Sequence, residues 1–288
     1  MYPAEFEYFD PLTVDDAVEL LSRLGDQARV LAGGHSLIPL MKLRLARPPA
    51  LVDLHRIEEL RSIRVEPDAV VIGAAATHAA IAESAQLGEA LPLLTTVAGL
   101  IGDPQVRSCG TLAGSLAHGD PMGDWPAVAL TMGAVVVTAS PRGQRTIAAD
   151  QFFTGFFSTA LEPDEMITSI RFPRRWTDGY GYQKLRGQST DWAVVGVAVV
   201  VDRADGVVDQ LRIGLTNVGP TPVRATRSEQ ILEGHQPNSE LLEAAAEEAG
   251  FGLTPSSDIR ASAAYRLQMI KVLTRRALEQ ALEVSNGS

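Results

Sequence analysis

The chain has 288 residues, enough for about two compact domains. Hydrophobic residues make up 45% of it and charged residues 21%, a composition that is typical of a globular protein and excludes a disordered chain. Lys and Arg number 25 against 35 Asp and Glu, and the net charge of −10 argues against nucleic acid or an anionic membrane surface as the main partner.

The first half of the chain predicts an alternation of short strands and helices. Thr13 and Asp16 resemble a capping box that opens a helix, and Gly25 is placed to end it. The segments that follow are a buried strand at 28–31, a short helix at 37–45, a strand at 51–54, a hairpin formed by 61–65 and 69–72, and a broken helical stretch at 79–94.

The second half predicts strands first and helices last. The strands are expected at 135–138, 144–147, 166–172, 181–185, 193–201 and 208–217, and the helices near 228–232, 240–248 and 258–284. A composition break at 173–179, in the sequence PRRWTDG, marks the expected boundary between two domains.

Cysteine and histidine usage limits the metal chemistry of the chain. Cys109 is the only cysteine, which excludes a disulfide framework and an iron–sulfur or thiolate zinc site held by this chain alone. The five histidines show no H-x-x-x-H or H-E-x-x-H spacing, so no metal site is expected.

The N-terminus predicts no targeting segment. It has no basic n-region and no apolar h-region, and no stretch of the chain approaches the roughly 18 apolar residues of a spanning helix. The expected location is therefore the cytoplasm.

A first glycine loop follows the strand predicted at 28–31, in the sequence LAGGHSLI at 31–38. Gly33 and Gly34 allow the backbone to approach a ligand closely and to turn its N–H groups toward one point. Ser36 is placed to cap the next helix, whose N-terminus favours an anion. Phosphate binding and a plain strand-to-helix turn are equally compatible with this segment.

A second loop, at 110–124, combines small residues, hydroxyls and two carboxylates in the sequence GTLAGSLAHGDPMGD. Such a segment can offer N–H groups to phosphates and carboxylates to sugar hydroxyls; the alternative is a long surface loop with a turn at Asp120-Pro121. Neither loop matches the Rossmann G-x-G-x-x-G fingerprint or the P-loop.

A hydrolase is the rival hypothesis for the first loop. The segment from Gly34 to Ile38 approaches the G-x-S-x-G nucleophile elbow, with Ser36 as nucleophile. Ile38 stands where the elbow needs its second glycine. Ser36 also lies so early in the chain that the strands of a hydrolase sheet could not precede it. Both departures disfavour this hypothesis.

Three motifs together resemble a known family. The segments 32–39 (AGGHSLIP), 111–115 (TLAGS) and 161–165 (LEPDE) are similar, in this order and at these distances, to the FAD-binding medium subunits of molybdenum hydroxylases, the xanthine dehydrogenase family. Tyr182 to Leu185 and the terminal stretch from Tyr265 resemble the same family's C-terminal domain. The resemblance covers the whole chain, and within the family it is strongest to medium subunits of aerobic carbon monoxide dehydrogenases.

The resemblance implies an α+β fold in two domains. Residues 1–175 would form an FAD-binding domain of the vanillyl-alcohol-oxidase (PCMH) type, with subdomains of about 1–57 and 58–175. Residues 176–288 would form a C-terminal domain with a three-stranded antiparallel sheet and a helix bundle.

The resemblance also implies an FAD site between the two subdomains and the C-terminal domain. Ile101 would lie near the adenine, Asp124 near the sugar or ribityl hydroxyls and Lys184 near the isoalloxazine, with Leu161 as an apolar contact and Trp192 covering the ring. The two pyrophosphate loops would consist of Leu31, Ala32, Gly33, Gly34, His35, Ser36, Leu37 and Ile38, and of Thr111, Ala113, Gly114 and Ser115.

The second loop departs from the family pattern, which is commonly T-I-G-G-N. Ala113 removes a glycine, and Ser115 replaces an amide that can both donate and accept. If residue 113 needed a positive φ, alanine would cost on the order of 1 kcal/mol. A flavin-free scaffold subunit therefore remains a second alternative.

The function implied is electron transfer through non-covalently bound FAD. In the family, substrate is oxidised at a molybdenum cofactor in a large subunit, and electrons reach the FAD through two [2Fe–2S] clusters in a small subunit. No catalytic acid or base is expected in this chain. It would assemble with both partners as a dimer of heterotrimers, which could bring it to the inner face of the cell membrane. The substrate and the terminal acceptor stay open.

Overall fold

The fold is that of a computed structural model, which describes residues 2–176 and 178–284. The chain begins with a small parallel sheet flanked by short helices. Its elements are β1 (Glu7–Phe9), α1 (Val14–Leu24), β2 (Ala28–Leu31), α2 (Leu37–Lys42) and β3 (Ala50–Asp53), and the strand order is β1-β3-β2. Single 3₁₀ turns follow α1 at Gly25–Gln27 and β3 at Glu58–Arg61.

The first helix forms as its sequence predicts. The Thr13 hydroxyl accepts a hydrogen bond from the Asp16 amide at 3.1 Å, and Ala17 and Leu21 are buried beneath the helix. The predicted helix 37–45 is shorter than expected and ends at Lys42, because Arg44 adopts φ 63 and turns the chain out of the helix.

The second sheet is five-stranded and antiparallel, in the order β4-β5-β10-β6-β7. Its strands are β4 (Ile63–Val65), β5 (Ala69–Gly73), β6 (Val135–Ser140), β7 (Gly143–Ala148) and β10 (Met166–Pro173). Before β6 come α3 (His78–Ala82), α4 (Ala85–Ala90), α5 (Pro92–Gly99), α6 (Pro104–Cys109), α7 (Leu112–His118) and α8 (Asp124–Met132). After β7 come α9 (Ala149–Phe152) and a small hairpin of β8 (Phe153–Gly155) and β9 (Ser158–Thr159).

The C-terminal sheet has four strands in sequential antiparallel order: β11 (Gly179–Leu185), β12 (Val195–Ala204), β13 (Val207–Thr216) and β14 (Val223–Arg224). The expected sheet had three, and β14 escapes prediction because a two-residue strand directly after Pro222 carries no periodic signal. Three helices follow, α10 (Thr226–Leu232), α11 (Ser239–Glu248) and α12 (Ala263–Val284). Within the described ranges, no helix is both long and apolar enough to cross a bilayer.

Helix α8 joins the C-terminal sheet to the rest of the protein. All of its residues are buried, and it packs on β12 and β13. The approach is so close that a Cβ on Gly214 would lie 2.0 Å from the Thr131 hydroxyl oxygen. On β12, Ala198 and Val200 belong to the same hydrophobic core as α8, whereas alternate valines of that strand pack with α12. The strand is therefore apolar on both faces.

The segment 110–124, interpreted from sequence as a loop, contains helix α7. Its glycine, serine and alanine content favours a loop by composition, but Leu112 and Leu116 are fully buried and anchor a helical turn. The broken helix expected at 79–94 is present as the three short helices α3, α4 and α5.

Candidate functional site

The two glycine loops lie against each other. A Cβ built on Gly33 would be 2.3 Å from the carbonyl oxygen of Cys109 and 2.6 Å from the Cα of Gly110. A Cβ on Gly114 would approach the Cβ of Ala32 to 3.7 Å. The first loop thus packs directly on the backbone that leads into the second, which makes one site of two segments about 80 residues apart in sequence.

The first loop presents a run of unused backbone donors. Within the described residues, the amides from Gly33 to Leu37 donate to no protein acceptor. Gly34 has φ 72, and the residues around it are half-buried except for the exposed His35. Consecutive free N–H groups in such a turn form an anion-binding concavity.

Ser36 takes neither of the roles considered for it. It precedes α2 in helical conformation without capping the helix through its side chain. Its hydroxyl forms no hydrogen bond within 2–176 and 178–284, so no base activates it there as a hydrolase nucleophile. The expected cap is wrong, and the hydrolase alternative is not supported.

The second loop is the capped start of α7. The Thr111 hydroxyl accepts from the Gly114 amide at 3.0 Å, and Thr111 is 5% exposed. Ala113 lies in the first turn with negative φ, so the conformational cost considered for alanine there does not arise. Ser115 follows in the same turn and is half-buried.

We expect Thr111→Ala to lower the free energy of unfolding by about 1 kcal/mol, because it removes the cap of α7. Thr111→Ser keeps the hydroxyl and should stay within about 0.3 kcal/mol of the wild type. Urea unfolding of both variants measures the difference. Equal losses in the two would assign the effect to the methyl group and contradict the capping role.

His78 lies beneath the junction of the loops. Its amide donates to the Gly110 carbonyl at 2.8 Å, and its ring Nδ1 accepts from the indole Nε1 of Trp125 on α8 at 3.2 Å. Burial lowers the pKa of His78 from 6.5 to about 4, with smaller contributions from His35 and Arg107. The ring is therefore neutral at pH 7 and can accept the indole hydrogen bond.

This pKa makes stability depend on pH. Because the folded value of about 4 lies below the unfolded value of 6.5, the unfolded chain binds more protons as the pH falls through this window. As the pH falls from 7.5 to 5, His78 should lower the free energy of unfolding by about 2 kcal/mol. His78→Asn keeps an acceptor for Trp125 without titrating, so its urea-unfolding free energy should fall less over that range. Identical pH slopes for the two proteins would refute this.

A buried ion pair joins α8 to the C-terminal sheet. The Lys184 ammonium lies 2.9 Å from Asp124 Oδ2, and each side chain is only 4% exposed. The hydroxyl of Tyr182 donates a short hydrogen bond to Asp124 Oδ1, and burial raises the pKa of Tyr182 well above its usual value. The structure thus brings together two predicted site residues, Asp124 and Lys184, as partners of each other.

The other predicted site residues lie on separate segments. Ile101 is partly buried, and its carbonyl accepts from Arg107 at 3.0 Å. Leu161 packs at the edge of the core, and Trp192 is 41% exposed before β12. Among the described residues, no hydrogen bond or ion pair joins any of the three to the glycine loops.

The LEPDE segment at 161–165 is a structural turn. The buried Glu165 carboxylate accepts from the Glu162 amide at 3.0 Å, from Arg145 at 2.6 Å and from Thr138 at 2.5 Å. Asp164 pairs with both terminal nitrogens of Arg142. These ionic contacts tie the turn to β6 and β7, so the motif holds Leu161 in place.

Sequence reasoning missed residues whose partners are distant in the chain: His78, Trp125, Tyr182, Asn217 and Arg266. His78 gave no signal beyond its residue type, because its partner is 47 residues away. Tyr182 stands two positions from Lys184, the alternation that places two strand side chains on one face, and this spacing could have indicated it.

Comparisons with known proteins agree with this geometry. Residues 4–175 match the family model described as the FAD binding domain in molybdopterin dehydrogenase. The chain belongs to that family. Residues 180–281 match the CO dehydrogenase flavoprotein C-terminal domain. The predicted FAD-binding oxidoreductase subunit of α+β fold is confirmed, and the flavin-free scaffold is not supported.

Full-length relatives share the whole architecture. The carbon monoxide dehydrogenase medium chain of Hydrogenophaga pseudoflava is 43% identical over 98% of both chains. The nicotine 6-hydroxylase medium subunit of Paenarthrobacter nicotinovorans is 38% identical over 95% of this chain and 96% of its own. A solved structure of carbon monoxide dehydrogenase from Hydrogenophaga pseudoflava superimposes with a TM-score of 0.96 at 44% identity, over 99% of both chains.

Proposed function

We propose that this chain is the FAD-binding medium subunit of a molybdenum enzyme of the carbon monoxide dehydrogenase type, and that the glycine loops hold the cofactor's pyrophosphate. The observation that carries the proposal is the run of free amides from Gly33 to Leu37. A diphosphate needs free backbone donors and a close backbone approach. The unused amides and the contact of Gly33 with Cys109 and Gly110 support this assignment. The identity to carbon monoxide dehydrogenase medium chains supports the choice of enzyme.

The residues around the loops have separate tasks. His78 and Thr111 hold the backbone of the second loop, through the Gly110 carbonyl and the cap of α7. Lys184 and Asp124 place a neutralised ion pair where α8 meets the C-terminal sheet, beside the expected ribityl and isoalloxazine positions. Ile101, Leu161 and Trp192 supply apolar contacts. When bound, FAD supplies a carrier that takes up electrons singly and passes them on singly or in pairs.

The assembly is part of the proposal. This chain would receive electrons from a small subunit with two [2Fe–2S] clusters, fed by a large subunit with the molybdenum cofactor, in a cytoplasmic dimer of heterotrimers that can associate with the membrane's inner face. Support comes from the relatives' names, medium chain and medium subunit, and from a chain with one cysteine. Within it, residues 1–175 would bind FAD, with subdomains 1–57 and 58–175, and 176–288 would form the second domain.

Flavin analysis of the purified complex tests the cofactor proposal. We expect about one FAD per copy of this chain, released into the supernatant by acid precipitation, because the loops are proposed to hold the pyrophosphate through backbone amides. Flavin remaining in the precipitate would contradict non-covalent binding. A complex without flavin would contradict the proposed function.

Metal analysis and an activity assay test the assembly. The chain should co-purify with iron and molybdenum, and the complex should reduce a dye with carbon monoxide as electron donor. Reduction by a different substrate only would assign the chain to another enzyme of the family. A chain that purifies alone, oxidises substrate and contains neither metal would refute electron transfer from partner subunits.

A further inference from the structure

The segment that carries Trp192 changes abruptly from exposed to buried. Trp192 is 41% exposed, whereas the next residues, Ala193 and Val194, are 0% and 6% exposed. The orientation of the indole therefore depends on how the backbone at 193 and 194 is held. Neither residue belongs to β12, which begins at Val195. The sheet holds Val194 through its amide, which donates to the Leu185 carbonyl at 2.8 Å, and the carbonyls of residues 193 and 194 find their partners outside the sheet.

Asn217, directly after β13, holds this backbone from one side. Its side-chain Nδ2 donates to the carbonyls of Ala193 at 2.9 Å and Val194 at 3.1 Å. Its own amide donates to the carbonyl of Pro121 at 2.9 Å, which ties the same point to the end of the second loop. Asn217 has φ 62, a conformation that asparagine tolerates better than most residues.

Arg266, on α12, holds the same backbone from the other side. Its side chain is fully buried, Nη1 donates to the Val194 carbonyl, and Nη2 lies 2.7 Å from Asp258 Oδ2. Its Nε has no partner among the described residues. Burying a guanidinium is costly, and an apolar side chain of similar volume often serves stability as well or better. The contact with Val194 therefore indicates a task beyond packing.

We propose that Arg266, together with Asn217, is a positioning residue that fixes the backbone at 193 and 194 so that Trp192 presents its indole to the bound FAD. This inference rests on the proposed FAD site. Arg266 acts only through Trp192 and does not itself touch the cofactor. Its loss should therefore matter only while the indole is present.

A double-mutant cycle tests the proposal in the purified complex. We expect Arg266→Met to weaken FAD binding about tenfold and to raise the fluorescence of the bound flavin, because a misplaced indole no longer quenches it. In a Trp192→Phe background the same substitution should change FAD affinity less than about twofold. The matched control is Arg275→Met on the same helix. Arg275 pairs with Glu243 and Glu279 and, among the described residues, forms no hydrogen bond with 192–194, so the substitution should leave both readouts unchanged.

Asn217→Gly keeps the test decisive if Arg266→Met fails to fold. Glycine accepts the positive φ while removing the donor to both carbonyls, so flavin fluorescence should rise in a folded protein. The proposal is overturned if a folded Arg266→Met or Asn217→Gly complex keeps wild-type affinity and fluorescence, or if Arg266→Met costs the same affinity with Trp192→Phe. A wild-type complex without FAD would instead refute the proposed function, and this inference with it.

Discussion

Gly33→Ala is expected to abolish FAD binding, with a loss in affinity above about a hundredfold. The added Cβ would lie 2.3 Å from the Cys109 carbonyl oxygen and 2.6 Å from the Gly110 Cα, so backbone atoms must move and no side chain can yield instead. That movement would separate the first loop from the second and displace the amides that we propose to bind the pyrophosphate. FAD titration followed by flavin fluorescence measures the affinity.

Substitutions at two other glycines provide controls for this prediction. Gly99→Ala should bind FAD like the wild type, because a Cβ there has nothing within 4 Å. Gly34→Ala should lie between the two, since φ 72 costs alanine about 1 kcal/mol while its Cβ meets only the side chains of Ile38 and Leu31. Wild-type affinity in Gly33→Ala would remove the contact between the loops from the binding mechanism.

Lys184→Met is expected to destabilise the protein by about 3–5 kcal/mol, because it leaves the Asp124 carboxylate buried with Tyr182 as its remaining partner. The double variant Asp124→Asn with Lys184→Met removes both charges and should recover most of the loss. Urea unfolding at pH 7 of both variants measures the two losses. FAD content, measured alongside, reports whether the pair also serves the cofactor.

An exposed ion pair provides the control for this prediction. Lys271 on α12 lies 2.5 Å from Glu247, with both side chains substantially exposed, so Lys271→Met should change stability by less than about 1 kcal/mol. Equal losses in Lys184→Met and Lys271→Met would mean that burial does not strengthen the Asp124 contact. A double variant as unstable as Lys184→Met would assign the loss to the lysine stem.

The elements that the sequence predicts well are those with local signals. Helix α1 has its cap at Thr13 and its stop at Gly25, and strand β6 begins with a run of β-branched residues at 135–138 and is followed by the turn at 141–143. The poorly predicted ones lack such signals. Helix α8 is buried on every side, between a core and a sheet, so it has no polar outer face and shows no amphipathic periodicity.

Some residues of the candidate site likewise have local sequence signals, and others do not. Both glycine loops were evident from composition, since only small residues permit the close approach seen between Gly33 and Gly110. Ala113 shows the limit of local reasoning: its sequence position suggested strain, whereas the helix around it removes the need for a positive φ. The family resemblance named Asp124 and Lys184, but nothing in their local sequence paired them.

Local chemistry along the chain was enough to predict most of the longer strands, that one cysteine cannot hold a cluster, and that backbone amides at 33–37 could receive an anion. Long-range contacts decided the rest. Asp124 meets Tyr182 across 58 residues, Trp125 meets His78 across 47, and Arg266 meets Val194 across 72. The physical reason is that a buried charge or ring nitrogen must find its partner wherever packing brings one, and packing depends on the whole chain.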